Sequence, residues 1–494
     1  MKKRMSAFFL AVMMVIGMIP FWTISASAEP VSVDVTVKSP IFANTDTPLD
    51  LTVPFDFDWL TEGDNTAYNS DLAAFSALAS TDVYFREKDE GTPGENKVMV
   101  KGSEDPYDCT SFLSAFGFED VCRIETYDKT STDPDKNDSA TFLAGHRLVN
   151  GKDVFVFAFR GAYSSGEWLS MFEVGDPATI DAHPNWTDPN VLKSIDVAAN
   201  VSAKKIEEYI QTYGTKEAPD RILLTGHSRG GAIANELGAK FEKDAEKESY
   251  TYTFSSPGIT LAPDVANYQT IFNINNSDDF FENFLPFEEE AFARYGIDLE
   301  DSYTDNSELK QRLQEFGTAG VYACMSETDR ELYRTLFSEN FKDRAAIYQQ
   351  ETETLTFDNA ADAQSHYDAC NTVITGFKLG DLCSAELNGS SVRLTTSRAS
   401  LLKSYSMVLA YGTPDMVDYV KTLFPDDEIA ELLYENLASL TNAHRILKSY
   451  LLCQVLRPDV PDTGDTGSLC FPVLLLCVCA AGFTVCLKRG RSRR

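Results

Sequence analysis

The pattern of apolar and polar residues in the middle of the chain is typical of a buried, mostly parallel β-sheet. An uninterrupted apolar run covers residues 154–159, and a second compact run covers residues 222–225. Two further strand-like segments cover residues 250–254 and 270–274. Strands that are buried on both faces form continuous apolar segments, whereas half-exposed strands alternate. Each of these segments is therefore predicted to be a strand within a sheet.

Helical periodicity lies between these strands. Residues 192–213 carry apolar side chains on or near one side of a helix, and Ile233, Ala234, Leu237 and Phe241 recur at spacings that bury one helical face. The resulting order of strand, helix, strand, helix and strand predicts an α/β fold with a mostly parallel sheet and helices on both faces.

The flanking regions show other patterns. Residues 29–66 begin with alternating valines and then become rich in Asp, Thr and Pro, which indicates a short β segment followed by a linker. A helix capped by Asn69 is predicted next, so the α/β domain is expected to cover residues 67–455. Residues 300–440 are more polar and show helical segments. We interpret them as a helical insertion, which is either a cap over a functional site of the α/β domain or an ordinary structural addition.

The segment Gly-His-Ser-Arg-Gly, residues 226–230, joins the second predicted strand to a helix. The G-x-S-x-G pattern needs both glycines because the tight turn from strand to helix leaves no room for a Cβ atom. Ser228 then stands at the tip of the turn, above the N-terminus of the helix, whose N–H groups and dipole favour the negative charge created by acyl transfer. We interpret this segment as a nucleophile elbow.

A serine hydroxyl is a weak nucleophile at neutral pH and needs a base, which in turn needs an acid to orient it. Around such an elbow the order along the chain is serine, then Asp or Glu, then histidine. Of the five histidines, only His366 and His444 follow the elbow. His444 is favoured because it lies beyond the insertion, and His366 is the alternative. The acid is expected just after residues 270–274, where Asp278 and Asp279 stand in a turn.

Four ordered motifs in this region resemble those of the class 3 lipases, a family of α/β-hydrolases. The residues around His444 and Tyr450 are similar to a fifth motif, the terminal histidine segment of that family. The resemblance covers residues 67–455. The four motifs are Ala158-Phe159-Arg160-Gly161 with Trp168, Thr225-Gly226-His227-Ser228 with Gly230-Gly231-Ala232, Thr253-Phe254-Ser255-Ser256-Pro257, and Asn276 and Asp279 leading to Leu285-Pro286.

The resemblance assigns roles to further residues. By the register of the family, Asp279 is the acid and Asp278 is the fallback. The backbone N–H groups of Ala162 and Arg229 are implied to form the oxyanion hole. The family usually has Thr or Ser in place of Ala162, so the backbone donor is kept while a supporting hydroxyl is missing. Leu is common in place of Arg229, and Val is common in place of Phe281.

Both ends of the chain are typical of targeting signals. Residues 1–28 combine an initial basic cluster, an apolar stretch and the sequence Ala-Ser-Ala, which predicts a signal peptide that is cut after Ala28 and therefore a secreted protein.

The C-terminal residues 456–494 contain a Val-Pro-Asp-Thr-Gly segment, an apolar run over residues 469–487 and a basic end. This combination resembles the cell-wall sorting signal of Gram-positive surface proteins. The resemblance implies that a sortase cleaves between Thr463 and Gly464 and joins the protein to peptidoglycan. The alternative is a plain membrane anchor, with residues 469–487 as a transmembrane segment and the folded part outside.

The composition narrows the choice of partners. The net charge of −32 disfavours nucleic acids and anionic membrane surfaces as electrostatic partners. No Cys/His cluster indicates zinc, and neither a metal nor another cofactor is expected. Six cysteines outside the apolar tail form either structural disulfides or buried free thiols. They are Cys109, Cys122, Cys324, Cys370, Cys383 and Cys453.

These observations predict a secreted, cell-surface serine ester hydrolase of lipase or esterase type, which acts on an ester or lipid through an acyl-enzyme at Ser228. The alternative is a wall-anchored binding or adhesion protein that keeps the fold without catalysis. A triacylglycerol lipase, a phospholipase, a carbohydrate or phenolic esterase and an acyltransferase share these parts, so the acyl chain and the alcohol of the substrate stay open.

Overall fold

The structure is a computed structural model, and the described residues are 30–43, 47–86, 96–103, 109–128, 137–215, 220–283, 292–301, 306–316, 325–341, 344 and 346–455. The predicted signal peptide, the sorting segment with Thr463 and Gly464, and the apolar run 469–487 lie outside these residues. Among the described helices, none has both the length and the apolar character that crossing a membrane requires.

The described strands form three sheets. An N-terminal sheet has the order β2-β1-β3, the central sheet has the order β10-β9-β8-β7-β6-β5-β4, and a third sheet has the order β11-β13-β12. The strands are β1 (Val31–Lys38), β2 (Leu49–Phe55), β3 (Lys97–Val100), β4 (Glu119–Asp128), β5 (Asp138–Val149), β6 (Lys152–Phe159), β7 (Asp220–His227), β8 (Lys247–Phe254), β9 (Ile271–Asn276), β10 (Ile297–Asp301), β11 (Gln350–Thr356), β12 (Ser384–Asn388) and β13 (Ser391–Ser397).

The helices of the described residues include four short 3-10 helices, at Pro177–Ala182, Val265–Asn267, Phe280–Asn283 and Ala346–Tyr348. The α-helices are α1 (Asp58–Thr61), α2 (Ser70–Asp82), α3 (Ser111–Ala115), α4 (Ser165–Ser170), α5 (Lys193–Tyr213), α6 (Arg229–Glu242), α7 (Ser307–Glu315), α8 (Glu327–Asn340), α9 (Ala360–Gly376), α10 (Arg398–Tyr411), α11 (Pro414–Leu423), α12 (Ile429–Glu435), α13 (Leu437–Ala443) and α14 (Ile446–Val455).

The central sheet confirms the predicted fold class. Strands β6 to β10 pair in parallel, and β4 and β5 extend the sheet with antiparallel pairs. Strand β7 shows why helices cover both faces. Its Ile222 and Leu224 belong to the core shared with α5 and α6, whereas Thr225 points to the opposite face, where its hydroxyl lies 2.9 Å from that of Ser80 in α2. The arrangement is that of an α/β-hydrolase.

The N-terminal region is more ordered than the expected linker. Leu49, Leu51, Val53 and Phe55 alternate with exposed residues and form the buried face of β2, and the Phe55 ring lies 4.4 Å from that of Phe75 in α2. This packing corrects the interpretation of residues 29–66 as a β segment with a linker, because the apolar alternation of β2 lies inside the part read as polar. These residues belong to the same compact unit as the central sheet, and that unit ends at Val455.

The helical insertion also needs correction, because residues 350–397 contain the three-stranded sheet β11-β13-β12 as well as helix α9. Strand β11 is exposed at nearly every position, so its polar sequence carries no apolar signal of a strand. Strand β13 buries Val392 and Leu394 at a spacing of two residues, which is the half-buried pattern of a β-strand. The insertion is therefore a mixed α and β subdomain.

The N-terminal turn contacts the last described helix. The backbone N–H groups of Ile446 and Leu447 donate hydrogen bonds to the carbonyl oxygens of Ile41 and Phe42, at 3.2 and 2.8 Å. The first N–H groups of a helix have no partner within the helix, and here the N-terminal turn supplies two of those partners. The Phe42 ring, which is fully buried, lies 5.6 Å from the ring of Tyr450. The two ends of the compact unit are thus held together directly beside His444.

Of the two interpretations of the cysteines, the described residues show buried thiols. Cys370, Cys383 and Cys453 are buried and free, and burial raises the pKa of the Cys383 and Cys453 thiols to about 12. These two thiols are therefore protonated and weakly nucleophilic at neutral pH. Cys324 lies outside the described residues.

Candidate active site

Ser228 occupies a strained turn between β7 and α6. Its backbone has φ 56° and ψ −129°, a conformation that non-glycine residues rarely adopt and that is typical of functional sites. A Cβ atom on Gly226 would lie 2.3 Å from the carbonyl oxygen of Gly230, and a Cβ atom on Gly230 would lie 2.5 Å from the carbonyl oxygen of Phe159. Both glycines are therefore required by close backbone approach, which is the reason expected from the sequence.

Asp279 and His444 meet although 165 positions separate them in the sequence. Nδ1 of His444 donates a hydrogen bond to Oδ2 of Asp279 at 2.7 Å, and Oδ1 of Asp279 accepts a hydrogen bond from the N–H of Phe281 at 3.0 Å. The Asp279 carboxylate is buried, and the His444 side chain is 12% exposed. With its proton on Nδ1, His444 keeps Nε2 as a proton acceptor. The Phe281 ring packs against the imidazole, with 4.5 Å between the ring centroids.

The alternative acid and base lie in other surroundings. The carboxylate of Asp278 is 3.7 Å from the guanidinium of Arg330 in α8. His366 lies in α9 of the insertion, where its ring packs on Phe357 and burial lowers its pKa. The geometry thus favours the Asp279 and His444 pair over Asp278 and His366.

The loop after β6 holds Ala162 with an available N–H group. The N–H of Arg160 donates to the carbonyl of Thr141, that of Gly161 donates to the Tyr84 hydroxyl at 2.9 Å, and those of Tyr163 and Ser164 donate to Glu167. Within the described part of the chain, the N–H of Ala162 donates to no other group. The N–H of Ala162 is therefore available as a donor, whereas the N–H groups of the two residues before it and the two residues after it are already hydrogen-bonded.

The carboxylate of Glu167 holds this loop through hydrogen bonds. Its Oε2 accepts hydrogen bonds from the N–H groups of Tyr163 and Ser164 at 2.6 and 3.2 Å, and its Oε1 accepts one from Nη2 of Arg160 at 2.7 Å. Glu167 is fully buried, so these charged and backbone donors compensate its desolvation. Glu167 was not predicted from the sequence. The pattern that could have indicated it is the capping box Ser164-x-x-Glu167 at the start of α4.

The second expected oxyanion donor belongs to the first residue of α6. In the described chain the N–H of Arg229 has no acceptor, as expected for the first turn of a helix. The fully buried guanidinium of Arg229 donates to the carboxylate of Asp138 and to the carbonyl of Ser139, both at 2.8 Å. Burial raises the pKa of Asp138 to about 6, although Arg229 opposes this shift. The arginine that replaces the common leucine therefore links the elbow to the start of β5.

A buried network joins the two halves of the site, and the sequence analysis missed it. Nε2 of His227 lies 2.9 Å from the carbonyl oxygen of His444, and Nδ1 lies 2.9 Å from the hydroxyl of Tyr84. That hydroxyl also accepts the N–H of Gly161. His227 thus contacts the backbone of the histidine that lies beyond the insertion. Burial lowers the pKa of His227 well below its ordinary value, so its ring is neutral. No sequence signal marked Tyr84.

No cluster of His, Cys, Asp and Glu side chains that could hold a metal ion is found among the residues that the structure describes.

Comparison with known proteins gives a family match over part of the chain. The family described as Lipase (class 3) matches residues 156–285, which include the elbow and Asp279 but not His444. No curated protein matches the sequence.

Several solved structures match part of the chain at low identity. Lip2 lipase from Yarrowia lipolytica is 15% identical, with 46% of this chain and 78% of that chain covered and a TM-score of 0.30. A mono- and diacylglycerol lipase from Aspergillus oryzae is 18% identical, with 47% and 79% covered and a TM-score of 0.33. The triacylglyceride lipase of Rhizomucor miehei is 19% identical, with 48% and 81% covered and a TM-score of 0.28.

Proposed function

We propose that this protein is a carboxylic ester hydrolase of lipase or esterase type, with Ser228 as nucleophile, His444 as base and Asp279 as the acid that orients the base. The match of residues 156–285 to the class 3 lipase family supports ester hydrolysis. The observation that carries the residue assignment is the 2.7 Å hydrogen bond between His444 and Asp279, because nothing in local sequence requires these residues to meet.

The reaction proceeds in two steps. Oγ of Ser228 attacks the ester carbonyl while Nε2 of His444 accepts the serine proton. The tetrahedral intermediate collapses, the bond to the alcohol oxygen breaks, and His444 returns its proton to the leaving alcohol. Water then attacks the acyl-enzyme, again giving its proton to His444, and the acid leaves as Ser228 regains a proton. Asp279 holds the correct tautomer of His444 and stabilises the transient imidazolium.

The oxyanion of both tetrahedral intermediates is held by the N–H groups of Ala162 and Arg229. Backbone donors that are fixed before the reaction stabilise developing charge without reorganisation during it. Glu167 and Tyr84 hold the neighbouring N–H groups, which keeps the Ala162 donor in position without the hydroxyl that the family usually supplies.

The nucleophile and the base are tested with purified protein and a soluble p-nitrophenyl ester. Ser228→Ala and His444→Ala are each expected to lower kcat by at least about a thousandfold, since the members of such a triad act as a unit. His366→Ala is the matched control for the base and is expected to keep wild-type kcat. If His366→Ala lost activity and His444→Ala did not, the assignment of the base would be wrong.

A fluorophosphonate probe separates the enzyme from a non-catalytic binding protein, because only an activated serine reacts with it. We expect stoichiometric labelling of wild type and none of Ser228→Ala. Wild-type protein that is folded but unlabelled at several pH values would favour the binding or adhesion protein instead. An ester series of increasing acyl length, measured below and above the solubility limit, then distinguishes a lipase from an esterase.

The proposal extends to location. We propose that residues 1–28 direct secretion and that the tail after residue 455 anchors the enzyme to the cell wall, by sortase cleavage between Thr463 and Gly464. The support is the sequence pattern alone. Mass spectrometry of the protein released from muralytic digests tests this, and a C-terminal peptide that ends at Thr463 linked to a peptidoglycan fragment is expected. A mature protein that retains residues 469–487 would favour the membrane anchor.

A further inference from the structure

A cavity of about 310 Å³ lies where the insertion meets the α/β core. One side is formed by residues from α4 to the start of α5, and the other side by Ile347, Tyr348, the turn at residues 378–382 and the first turns of α10. Its volume is at the lower end of the range of small-molecule sites. None of Ser228, Asp279, His444, Ala162 and Arg229 lines it, so the cavity is separate from the proposed reacting groups.

Part of the cavity wall is apolar. Leu169, Phe172, Val174, Ile347 and Leu402 line it, and all five side chains are buried or nearly so in the folded chain. They come from both the core and the insertion, and an apolar group within the cavity would contact both. Burial of such a group contributes about 0.8 kcal/mol for each methylene.

Ammonium groups face the same cavity. Lys193, Lys378 and Lys403 line it together with His183. Nζ of Lys403 donates one hydrogen bond, to the carbonyl of Lys378 at 3.3 Å. In the described chain, neither Lys378 nor Lys403 forms an ion pair. Burial is the main cause that lowers the pKa of Lys403; the Glu173 carboxylate opposes this shift, and the ammonium groups of Lys378 and Lys193 add to it. A partly desolvated cation with two cationic neighbours is stabilised by an anion.

Three carboxylates line the cavity as well, so the formal charges of its lysines and carboxylates balance, but in the described chain neither Asp176 nor Asp381 forms an ion pair with Lys378 or Lys403. Glu173 is already paired with Lys193 at 2.8 Å. Asp176 accepts the N–H of Ala178 at 3.0 Å and caps the following 3-10 helix. Asp381 is exposed on the same turn as Lys378. Lys378 and Lys403 are thus the two cavity lysines that have no ion pair in the described chain.

Lys378 occupies a backbone position that favours glycine. Its φ is 51°, and it follows the end of α9, where the N–H of Leu379 donates to the carbonyl of Ile374 at 2.8 Å. Glycine is the usual residue at this point of a helix end because it adopts the left-handed conformation without strain. Lysine stands at residue 378, whereas glycine stands two residues earlier at Gly376, where an added Cβ atom would contact no atom within 4 Å. The Lys378 side chain therefore lines the cavity from a backbone conformation that disfavours lysine.

We propose that this cavity binds a small amphiphilic anion, with a carboxylate or phosphate monoester head held by Lys378 and Lys403 and a short alkyl chain against the apolar wall. A neutral alcohol of the same length would supply no ion pair to these two ammonium groups. Inorganic phosphate would leave the apolar wall without contacts. The cavity therefore selects for both parts of the ligand, and it does so independently of ester hydrolysis at Ser228.

Isothermal titration calorimetry of the full chain carrying Ser228→Ala tests this binding without turnover. The probes are octanoate, hexyl phosphate, octanol and inorganic phosphate. Octanoate or hexyl phosphate is expected to bind at one site, at least about tenfold more tightly than octanol or inorganic phosphate, since a charged hydrogen bond contributes about 1.5 to 3 kcal/mol. The tighter of the two amphiphiles identifies the head group.

Variants assign the binding to the cavity. Lys403→Gln is expected to weaken the tighter amphiphile by about tenfold or more. Lys378→Gly is expected to weaken it as well, while its Tm equals or exceeds that of the parent because glycine relieves the left-handed backbone. Lys205→Gln, an exposed lysine of α5, is the matched control and should bind as the parent does. Equal affinity in Lys403→Gln and the parent, equal binding of octanol, or no binding of either amphiphile would each overturn the proposal.

Discussion

At the residue scale, His227 shows how one neutral side chain joins the two halves of the proposed site. A carbonyl oxygen only accepts hydrogen bonds, so the contact with His444 requires the proton of His227 to be on Nε2. Nδ1 is then an acceptor and receives the hydroxyl proton of Tyr84, whose oxygen accepts the N–H of Gly161. The backbone of the base and the loop of Ala162 are therefore held by one chain of hydrogen bonds.

Removal of the Tyr84 hydroxyl tests this chain. Tyr84→Phe leaves the N–H of Gly161 and Nδ1 of His227 without a partner, at a cost of about 1 to 3 kcal/mol. If these bonds position the Ala162 donor and His444, kcat falls by about tenfold while KM stays nearly constant. Steady-state kinetics on a p-nitrophenyl ester measures both constants. Tyr411→Phe, at an exposed position, is the control. An unchanged kcat with only a lower Tm would limit Tyr84 to a structural role.

The burial of the Asp138 carboxylate predicts a pH dependence of stability, which its ion pair with Arg229 only partly offsets. The pKa of Asp138 is about 6 in the folded chain, above its ordinary value of 3.8. Between these values the folded protein binds the proton and the unfolded chain does not, so the contribution of Asp138 to stability falls as the pH rises from about 4 to 6. A shift of this size corresponds to about 3 kcal/mol.

Asp138→Asn removes this titration. Urea unfolding of both proteins at pH 4, 5, 6 and 7 measures the difference in their free energies of unfolding. Wild type should lose stability relative to Asp138→Asn as the pH rises to 6 and then stay level. A relative gain of stability with rising pH would instead mean that Arg229 outweighs the desolvation of the Asp138 carboxylate.

At the element scale, helix α6 lies in close contact with the end of β6. Gly230 lies against the carbonyl oxygens of Phe159 and Arg160, directly before the loop that carries Ala162. Under the proposed function, this contact positions the loop relative to Arg229.

A single methyl group at residue 230 should separate these elements. The added Cβ of Gly230→Ala would lie 2.5 to 2.7 Å from backbone atoms of residues 159 and 160, which cannot yield as a flexible side chain can. We expect kcat to fall by about a hundredfold, since displacements near 1 Å have effects of this size. Gly376→Ala is the control, because a Cβ there meets no atom within 4 Å and kcat should be unchanged. Wild-type kcat in Gly230→Ala would contradict the argument.

Several helices and strands could be predicted from local sequence alone, and others could not. The strands over residues 154–159 and 222–225, the helix α5 and the cap at Asn69 follow from apolar runs, periodicity and capping, and the side chain of Asn69 accepts the N–H groups of Asp71 and Leu72 at 3.0 Å. Strand β11 could not be predicted, because an exposed polar strand is defined by its partner β13 and not by its own pattern. Tyr84 could not be predicted for the same reason, since its role depends on partners that only the fold supplies, whereas Glu167 has a local signal in its capping box.

At the scale of the whole molecule, the N-terminal segment, which was predicted to lead into a linker, contacts the helix that follows His444. The turn around Ile41 and Phe42 accepts two N–H groups at the start of α14, directly after His444. The pairing of His444 with Asp279 could be predicted from the order of residue types along the chain and from the family resemblance. Its dependence on the N-terminus could not, because no sequence pattern links residue 42 to residue 447.

This dependence is tested by truncating the buried ring of Phe42. Phe42→Ala should lower the free energy of unfolding by about 3 to 5 kcal/mol and should also lower kcat, because the turn that holds the start of α14 loses its contact with Tyr450. Phe112→Ala is the matched control, since its ring is equally buried and packs on Phe75 instead. It should lose similar stability and keep kcat at a temperature where both variants are folded. Equal kcat in the two would separate the N-terminal turn from the function of the base.

The joining of residues 41–42 to residues 446–447 has a consequence for the time at which activity begins. A chain is synthesised from its N-terminus, and contacts between distant segments form late because closing long loops costs entropy. Under the proposed function, Ser228 has no base until His444 has been synthesised and the last helix has docked on the N-terminal turn. A growing or partly folded chain then does not hydrolyse esters. The return of esterase activity during refolding therefore reports when the N-terminal turn and the last described helix have come into contact.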